Sequence, residues 1–170
     1  MPLKAWGFDS PLSYQLTKEM VLNMIYDVVL LSGGFDPLHV GHARMIRGGA
    51  MIAKKVVVGV NSDDWLKRKK GYVFMPFDER KELAESMAGV SIARGFDDSD
   101  NTANDLLMWA RAKWPTAHIA FGNGGDRTVD NVPESYVADK LNIDMVWGVG
   151  GVKVQSSSSL VNESQTRSAV

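Results

Sequence analysis

The chain has 170 residues, of which 45% are hydrophobic and 23% are charged, a composition ordinary for a compact protein with one core. It contains no cysteine, which excludes disulfides, thiolate metal sites and a cysteine nucleophile. A formal net charge of −1 gives no general attraction to nucleic acid or to an anionic membrane, so we expect neither as a partner.

Residues 1–26 are predicted to form a helical N-terminal extension. Ser10 and Pro11 favour a helix start, and the apolar residues that follow fall on roughly one face, which favours packing on the core or at a subunit contact. The opening stretch MPLKAWGFDS lacks the basic and then apolar layout of a signal peptide. No apolar run approaches the roughly 20 residues that span a membrane, so the expected location is the cytoplasm.

Residues 27–170 are predicted to form a single domain, because short β-branched runs alternate there with longer segments of helical period. The predicted strands are 28–32, 55–60, 90–94, 118–122 and 144–149. The predicted helices are 41–53, 77–88, 102–114, 133–140 and a tail from about 157. This order predicts the α/β class, with a Rossmann-like, doubly wound, five-stranded parallel sheet that carries helices on both faces.

The unusual segments of the sequence each follow a predicted strand. They are, in chain order, GGFDPLHVGH, NSDDWLKRKKG, GFDDSDN, NGGDR and GGVKVQSSSS. Ligands of open parallel sheets bind beyond the carboxyl ends of the strands, so these segments are expected to meet at one site. The lysine-rich second segment is interpreted as a loop that folds over that site.

The stretch GGFDPLHVGH, residues 33–42, joins the first strand to the first helix of this domain. Its glycines let the backbone turn sharply and leave room for a ligand. A helix that begins near Gly41 presents free N–H groups and the positive end of its dipole, and His39 and His42 face the same point. These features favour a phosphate contact. The alternatives are a metal site, for which only His118 adds a third imidazole, and a purely structural pair.

The acidic stretch DDSDNT, residues 97–102, precedes the third predicted helix. Its Asp and Asn side chains favour capping of that helix. Binding of an acceptor's hydroxyls, or of a magnesium ion that rides on a triphosphate, are the alternatives.

The segment His39–Val40–Gly41–His42 resembles the HxGH signature of the cytidylyltransferase-like nucleotidyltransferases. The likeness continues in order through NSDDWLKRKKG, MPFDERKELAESMAGV, NGGDR and VQSSSSLV. Within that superfamily the chain resembles glycerol-3-phosphate cytidylyltransferase and the adenylyltransferase domain of the heptose-phosphate enzyme. A run of four serines and the residues NGGDRTVDNVPE depart from both branches.

The resemblance implies transfer of a nucleoside monophosphate, CMP being favoured, from a nucleoside triphosphate to a small phosphorylated alcohol or sugar, with release of pyrophosphate. ATP-dependent transfer to a heptose-like sugar phosphate is one alternative, and a non-catalytic nucleotide-binding module is another. The implied cofactor is Mg²⁺, held mainly by the nucleotide phosphates and by no side chains alone. The implied partners are CTP or ATP and the phosphorylated acceptor, and a homodimer is expected.

The predicted site residues fall into a catalytic and a nucleotide-binding set. The catalytic set is His39, His42, Lys67, Lys70 and Arg80. The nucleotide-binding set is Gly33, Gly34, Phe35, Asp36, Gly41, Gly124, Gly125, Asp126, Arg127, Ser156, Ser157 and Ser158, with Lys153 as a possible partner of the serines. Alternatives are a solvated helix face for the lysines, surface ion pairs for the two arginines, and a flexible linker for the serines.

Overall fold

The computed structural model describes residues 25–124, 132–152 and 154–168. Its strands form one parallel sheet in the order β3-β2-β1-β4-β5. The strands are β1 (Tyr26–Gly33), β2 (Ala53–Val60), β3 (Val90–Gly95), β4 (Ile119–Gly122) and β5 (Ile143–Val146). The described helices are α1 (Val40–Ile52), α2 (Asp63–Lys70), α3 (Phe77–Ser86), α4 (Asn104–Lys113), α5 (Ser135–Lys140) and α6 (Ser157–Ser168). The predicted α/β class and five-stranded parallel sheet are confirmed.

Helices cover both faces of the sheet because successive strand residues point to opposite sides. In β1, Val29 and Leu31 are fully buried in one apolar cluster with residues of α1 and α3. Val28 and Leu30 are buried in a second cluster with residues of α4 and α5. A strand buried on both faces reads as the continuous run VVLL, which is typical of parallel sheets.

Helix α2 replaces the loop that the sequence predicted after β2, so that prediction is wrong. The helix begins where the Ser62 hydroxyl accepts a hydrogen bond from the Trp65 N–H at 3.0 Å, and it ends at Gly71, whose φ of 83° is left-handed. Acidic residues occupy its first turn and basic residues its last, in accord with the helix dipole. Leu66 is the buried residue of this helix, so its sequence lacks the repeated apolar positions that would predict a helix.

The Asp and Asn side chains at residues 97–102 do not cap α4, contrary to prediction, although the Thr102 hydroxyl accepts the N–H of Asn104, the first residue of α4, at 3.2 Å. Ala103 is the residue before α4 and makes no side-chain cap. The buried Asp98 carboxylate instead accepts hydrogen bonds from the Asn61 side-chain amide at 3.0 Å and from the backbone N–H and hydroxyl of Ser62, both at 2.7 Å. Asp98 therefore ties the loop after β3 to the end of β2.

The strand order reverses at β1, because β2 and β3 lie on one side of it and β4 and β5 on the other. Leu31 pairs with Gly122 on one side of β1, and Gly33 pairs with Val60 on the other, so three loops leave the sheet side by side. Ligands of doubly wound sheets bind at such a switch point.

The predicted extension falls largely outside the described residues, since 1–24 are not described, and the division at residue 26 stays a prediction. In the part of the chain that the structure describes, no helix has the length and apolar character needed to cross a membrane.

Candidate functional site

A cleft of about 360 Å³ opens at the switch point. Its walls come from the ends of β1 and β4, the first two turns of α1, the start of α6, helix α2 and the segments 149–152 and 154–155. The structure brings eleven predicted site residues together there: Gly33, Gly34, Phe35, His39, Gly41, His42, Lys70, Gly124, Ser156, Ser157 and Ser158.

The two histidines form a reciprocal cap at the start of α1. Nδ1 of His39 accepts a hydrogen bond from the Gly41 N–H at 3.1 Å, and Nδ1 of His42 accepts one from the His39 N–H at 3.3 Å. A backbone N–H only donates, so neither Nδ1 carries a proton and each neutral ring carries its proton on Nε2. The rings stack with centroids 3.9 Å apart. The cap thus leaves each ring a single Nε2–H donor for a ligand.

Both imidazoles are held in the neutral form. Burial, together with smaller effects of the nearby His39 and Lys70, lowers the pKa of His42 to about 3. Burial also lowers the pKa of His39, with Lys70 adding to the effect. Neutral rings at pH 7 donate hydrogen bonds without acting as general acids.

Gly41 leaves the space that the His39 ring occupies. A Cβ at residue 41 would lie 2.8 Å from Cε1 and 2.9 Å from Nδ1 of His39, closer than real contacts allow. Any residue other than glycine at position 41 therefore displaces the His39 ring that caps the helix. The Phe35 ring supports the other side, with its centroid 4.7 Å from that of His42.

The serine segment lines the cleft beside the start of α1. The Ser157 hydroxyl donates to the Pro37 carbonyl at 2.9 Å, which fastens the start of α6 to the loop before α1. The Ser159 N–H donates to the Ser156 hydroxyl at 3.2 Å, an arrangement typical of a helix start. Two helix N-termini, α1 and α6, therefore lie at the same cleft, where the positive ends of their dipoles favour an anion. The N–H groups that the sequence expected to be free in α1 are used within the helix start, since those of Gly41, His42 and Ala43 all donate to His39.

Lys70 lines the cleft and Asp36 does not, although the sequence predicts that both contact the ligand. Lys70 lines the cleft and its Nζ donates to the Asp36 carbonyl oxygen at 2.7 Å. Burial lowers the pKa of Lys70. The Asp36 carboxylate is fully buried and accepts the N–H groups of Phe74 at 2.9 Å and Met75 at 2.6 Å. Asp36 thus fixes the loop before α3 and does not line the cleft.

Lys67 does not line the cleft, contrary to the expectation from the sequence. Its Nζ lies 3.2 Å from Asp64 Oδ1, and 62% of its side chain is exposed. Lys67 and Lys70 are three positions apart, which places them only about 60° apart around the axis of α2. Lys67 is nevertheless exposed, whereas Lys70, the last residue of the helix, lines the cleft.

Arg80 also lies outside the cleft, against the prediction of a direct phosphate contact. Its side chain is fully buried. The guanidinium donates to the carbonyl oxygens of Met75, Gly34 and Asn61 at 2.7–2.9 Å and to Asp63 Oδ1 at 2.6 Å. Those acceptors hold its Nε, Nη1 and Nη2 atoms beneath the loops of the site. Arg80 is therefore a positioning residue, which joins α3 to the ends of β1 and β2.

Several of the residues that line the cleft were not predicted from the sequence. Trp65 and Lys69 lie one turn apart on α2, with Nζ of Lys69 4.4 Å from the indole centroid. Reading α2 as a helix from its Ser62 cap and Gly71 end would have put both on one face. Other unpredicted lining residues are Ser32, Arg44, Met45, Gly122, Asn123, Val149, Gly150, Gly151, Val152, Val154 and Gln155.

Some predicted residues lie outside the described part of the chain, namely Gly125, Asp126, Arg127 and Lys153. Within residues 25–124, 132–152 and 154–168, no three His, Asp or Glu side chains cluster so as to hold a metal ion.

Several known proteins are similar to this chain. Bifunctional protein HldE of Vibrio vulnificus is 41% identical over 82 residues, which are 47% of this chain and 17% of that protein. Phosphopantetheine adenylyltransferase of Pyrococcus abyssi is 36% identical over 64 residues, 36% of this chain and 41% of that enzyme. The chain thus matches less than half the length of these curated relatives.

The lipopolysaccharide core biosynthesis protein from Thermoplasma volcanium has a similar solved structure. It aligns with a TM-score of 0.54 at 20% identity, covering 77% of this chain and 99% of that one. At this identity the likeness shows the fold alone. A family model described as cytidylyltransferase-like matches residues 30–165, which include both histidines, α2, Arg80 and the serine segment. The chain therefore belongs to the cytidylyltransferase-like family.

Proposed function

We propose that the chain is a nucleotidyltransferase, which moves a nucleoside monophosphate from a nucleoside triphosphate to a small phosphorylated acceptor and releases pyrophosphate. The observation that carries the proposal is the reciprocal cap of His39 and His42, which leaves two neutral Nε2–H donors in one cleft. The starts of α1 and α6 and the Lys70 ammonium add positive potential around them.

An oxygen of the acceptor phosphate attacks the α-phosphorus of the triphosphate. A new P–O bond forms as the bond to the bridging α–β oxygen breaks, and that electron pair leaves with pyrophosphate. No proton has to move, so the protein acts by holding the reactants in line and by stabilising charge on the phosphate oxygens. The two Nε2–H groups donate to those oxygens, with Lys70 as a nearby point charge.

We propose ATP as the nucleotide. The sequence alone favoured CTP, whereas relatives from Pyrococcus abyssi and Pyrobaculum aerophilum are named phosphopantetheine adenylyltransferase. The acceptor is proposed to be a small molecule that ends in a phosphate. We propose that Mg²⁺ enters with the nucleotide, whose phosphate oxygens are the hard ligands that this ion prefers.

A screen for released pyrophosphate tests the proposal. ATP, CTP, GTP and UTP, each with Mg²⁺, are crossed with phosphopantetheine and with glycerol, choline, ethanolamine and sugar phosphates. We expect release with ATP and one of the acceptors. A chain that binds ATP but releases nothing with any acceptor would be a binding module, and a chain that binds no nucleotide would contradict the whole proposal.

The two lysines of α2 make a matched pair for a second test. Replacing Lys70 by alanine is expected to raise KM for ATP about tenfold or more, because a charge-assisted contact to phosphate is lost. Lys67→Ala removes an equal charge from the exposed side of the same helix and should leave KM within about twofold. Equal effects in steady-state kinetics would show that only the net charge of the helix matters.

A further inference from the structure

Asn123 is a buried side chain that lines the cleft at the end of β4, and only 2% of it is exposed. Its backbone is fixed on both sides: its N–H donates to the Val146 carbonyl at 2.7 Å, and its carbonyl accepts the Val149 N–H at 3.0 Å. The glycines at 122 and 124 add no side chain beside it. Asn123 therefore presents one rigid amide at this point of the cleft.

The orientation of that amide follows from its hydrogen bond. Nδ2 donates to the Phe121 carbonyl oxygen at 3.3 Å, and the reverse orientation would set two acceptor oxygens against each other. Oδ1 is thereby left buried, with no hydrogen-bond partner among the residues that the structure describes. Buried acceptors in native proteins are nearly always satisfied, so an unpartnered one at a cleft indicates a donor on the ligand.

The position of Asn123 identifies which part of a nucleotide can supply the donor. The histidine pair and Lys70 lie toward α1 and α2, where the phosphates are proposed to sit. The end of the cleft toward β4 and β5 is lined by glycines, Asn123 and the apolar Val149 and Val152. Met45 and Arg44 of α1 also line the cleft and lie against Gly150. A phosphate oxygen is an acceptor and would be repelled by Oδ1, whereas an uncharged ring fits this end.

We propose that Asn123 is the residue that selects the base, by accepting a hydrogen bond on Oδ1 from the exocyclic amine of adenine; this rests on the proposed function. Adenine and cytosine both carry such an amine, at C6 and C4 respectively. Hypoxanthine and uracil carry a carbonyl oxygen at the same positions. Two acceptors then face each other, so the 6-oxo and 4-oxo bases are rejected.

The test compares nucleotides that differ at one group. Isothermal titration of the full chain with Mg²⁺-ATP and with Mg²⁺-inosine triphosphate should give at least about tenfold tighter binding of ATP. CTP should likewise bind more tightly than UTP. Equal affinities for ATP and inosine triphosphate would overturn the inference while leaving nucleotide binding intact. A chain that binds no triphosphate would overturn the proposed function and the inference with it.

A variant separates base selection from structure. Asn123→Leu keeps the approximate volume and removes Oδ1, so the preference for ATP over inosine triphosphate should fall to about twofold or less. If the affinities for both nucleotides drop and the ratio persists, Asn123 is only structural and the inference fails. A second outcome would also overturn the inference. If 2′-deoxy-ATP binds the wild type as weakly as inosine triphosphate does, and Asn123→Leu abolishes only the difference between ATP and 2′-deoxy-ATP, then Oδ1 contacts the ribose and not the base. Because the wild-type comparison needs no variant, poor folding of Asn123→Leu does not remove the test.

Discussion

Replacing His39 by asparagine is expected to lower kcat by about 100- to 1,000-fold while the protein stays folded. The loss follows from removing one donor to the phosphate oxygens, and such donors contribute rate factors of that size at other enzymes. The measurement is pyrophosphate release at saturating ATP and acceptor, so that weaker binding does not enter kcat.

Asparagine is chosen because it separates the two functions of this side chain. Its Oδ1 can accept the Gly41 N–H as His39 Nδ1 does, and asparagine is among the preferred residues at the start of a helix. It has no atom at the position of Nε2. His39→Ala removes both, and should lose about 1 kcal/mol of stability in addition to the rate.

Urea unfolding of both variants supplies the control. If His39→Asn retains near-wild-type kcat, the Nε2–H donor is not part of catalysis. If kcat falls only in the alanine variant, together with stability, the histidine serves α1 alone and the mechanism is wrong.

Replacing Arg80 by methionine is expected to lower the free energy of unfolding by at least about 3 kcal/mol. The side chain is fully buried, and its removal leaves the carbonyl oxygens of Gly34 and Asn61 and the Asp63 carboxylate without their donor. Loss of one partner from a buried charge network has costs of this order. For a chain of 170 residues this corresponds to a fall in Tm of roughly 6–12 °C.

Lys81→Met is the matched control on the same helix. Lys81 makes an exposed ion pair with Glu85 at 3.2 Å, and its loss should change stability by less than about 1 kcal/mol. Chemical denaturation gives both numbers. An Arg80→Met protein with wild-type stability and a raised KM for ATP would instead support the direct phosphate contact that the sequence predicted.

The location of the site could be predicted from the sequence because parallel strands end at one edge of a sheet. The glycines at 33 and 34, the histidine pair and the serine segment each follow a strand or begin a helix, and all line one cleft. Local signals of this kind need no knowledge of distant contacts. Membership of the cytidylyltransferase-like family, predicted from the same residues, is confirmed over residues 30–165.

The helix α2 could have been predicted, but from its ends and not from its period. Ser62 and Gly71 are ordinary start and stop residues, and the charges between them follow the dipole. With Leu66 as its buried residue the helix has no apolar stripe, so a search for periodicity misses it. The exposure of Lys67 and the position of Lys70 in the cleft depend on that helix. An interpretation of the segment as a loop could therefore not tell which lysine lines the cleft.

The places of Arg80 and Asp36 could not be predicted, because burial depends on residues far away in the chain. Arg80 meets the Gly34 carbonyl across 46 positions, and Asp36 meets the Phe74 N–H across 38. In sequence, each resembles a charged residue free to meet a ligand. Asn123 differs from these two residues, because its side chain bonds a residue only two positions away. Its Nδ2 donates to the Phe121 carbonyl, which leaves Oδ1 without a partner among the described residues.

The central claim is that neutral His39 and His42 donate from Nε2 to the nucleotide phosphates. Long-range ¹H–¹⁵N spectra of protein labelled in its histidine rings test it most directly, with His118 at the opposite edge of the sheet as an internal control. We expect both cleft histidines as Nε2–H tautomers at pH 7, and their Nε2–H resonances should move when Mg²⁺-ATP is added while those of His118 stay. Nδ1–H tautomers, or unchanged resonances in protein that has bound ATP, would contradict the claim.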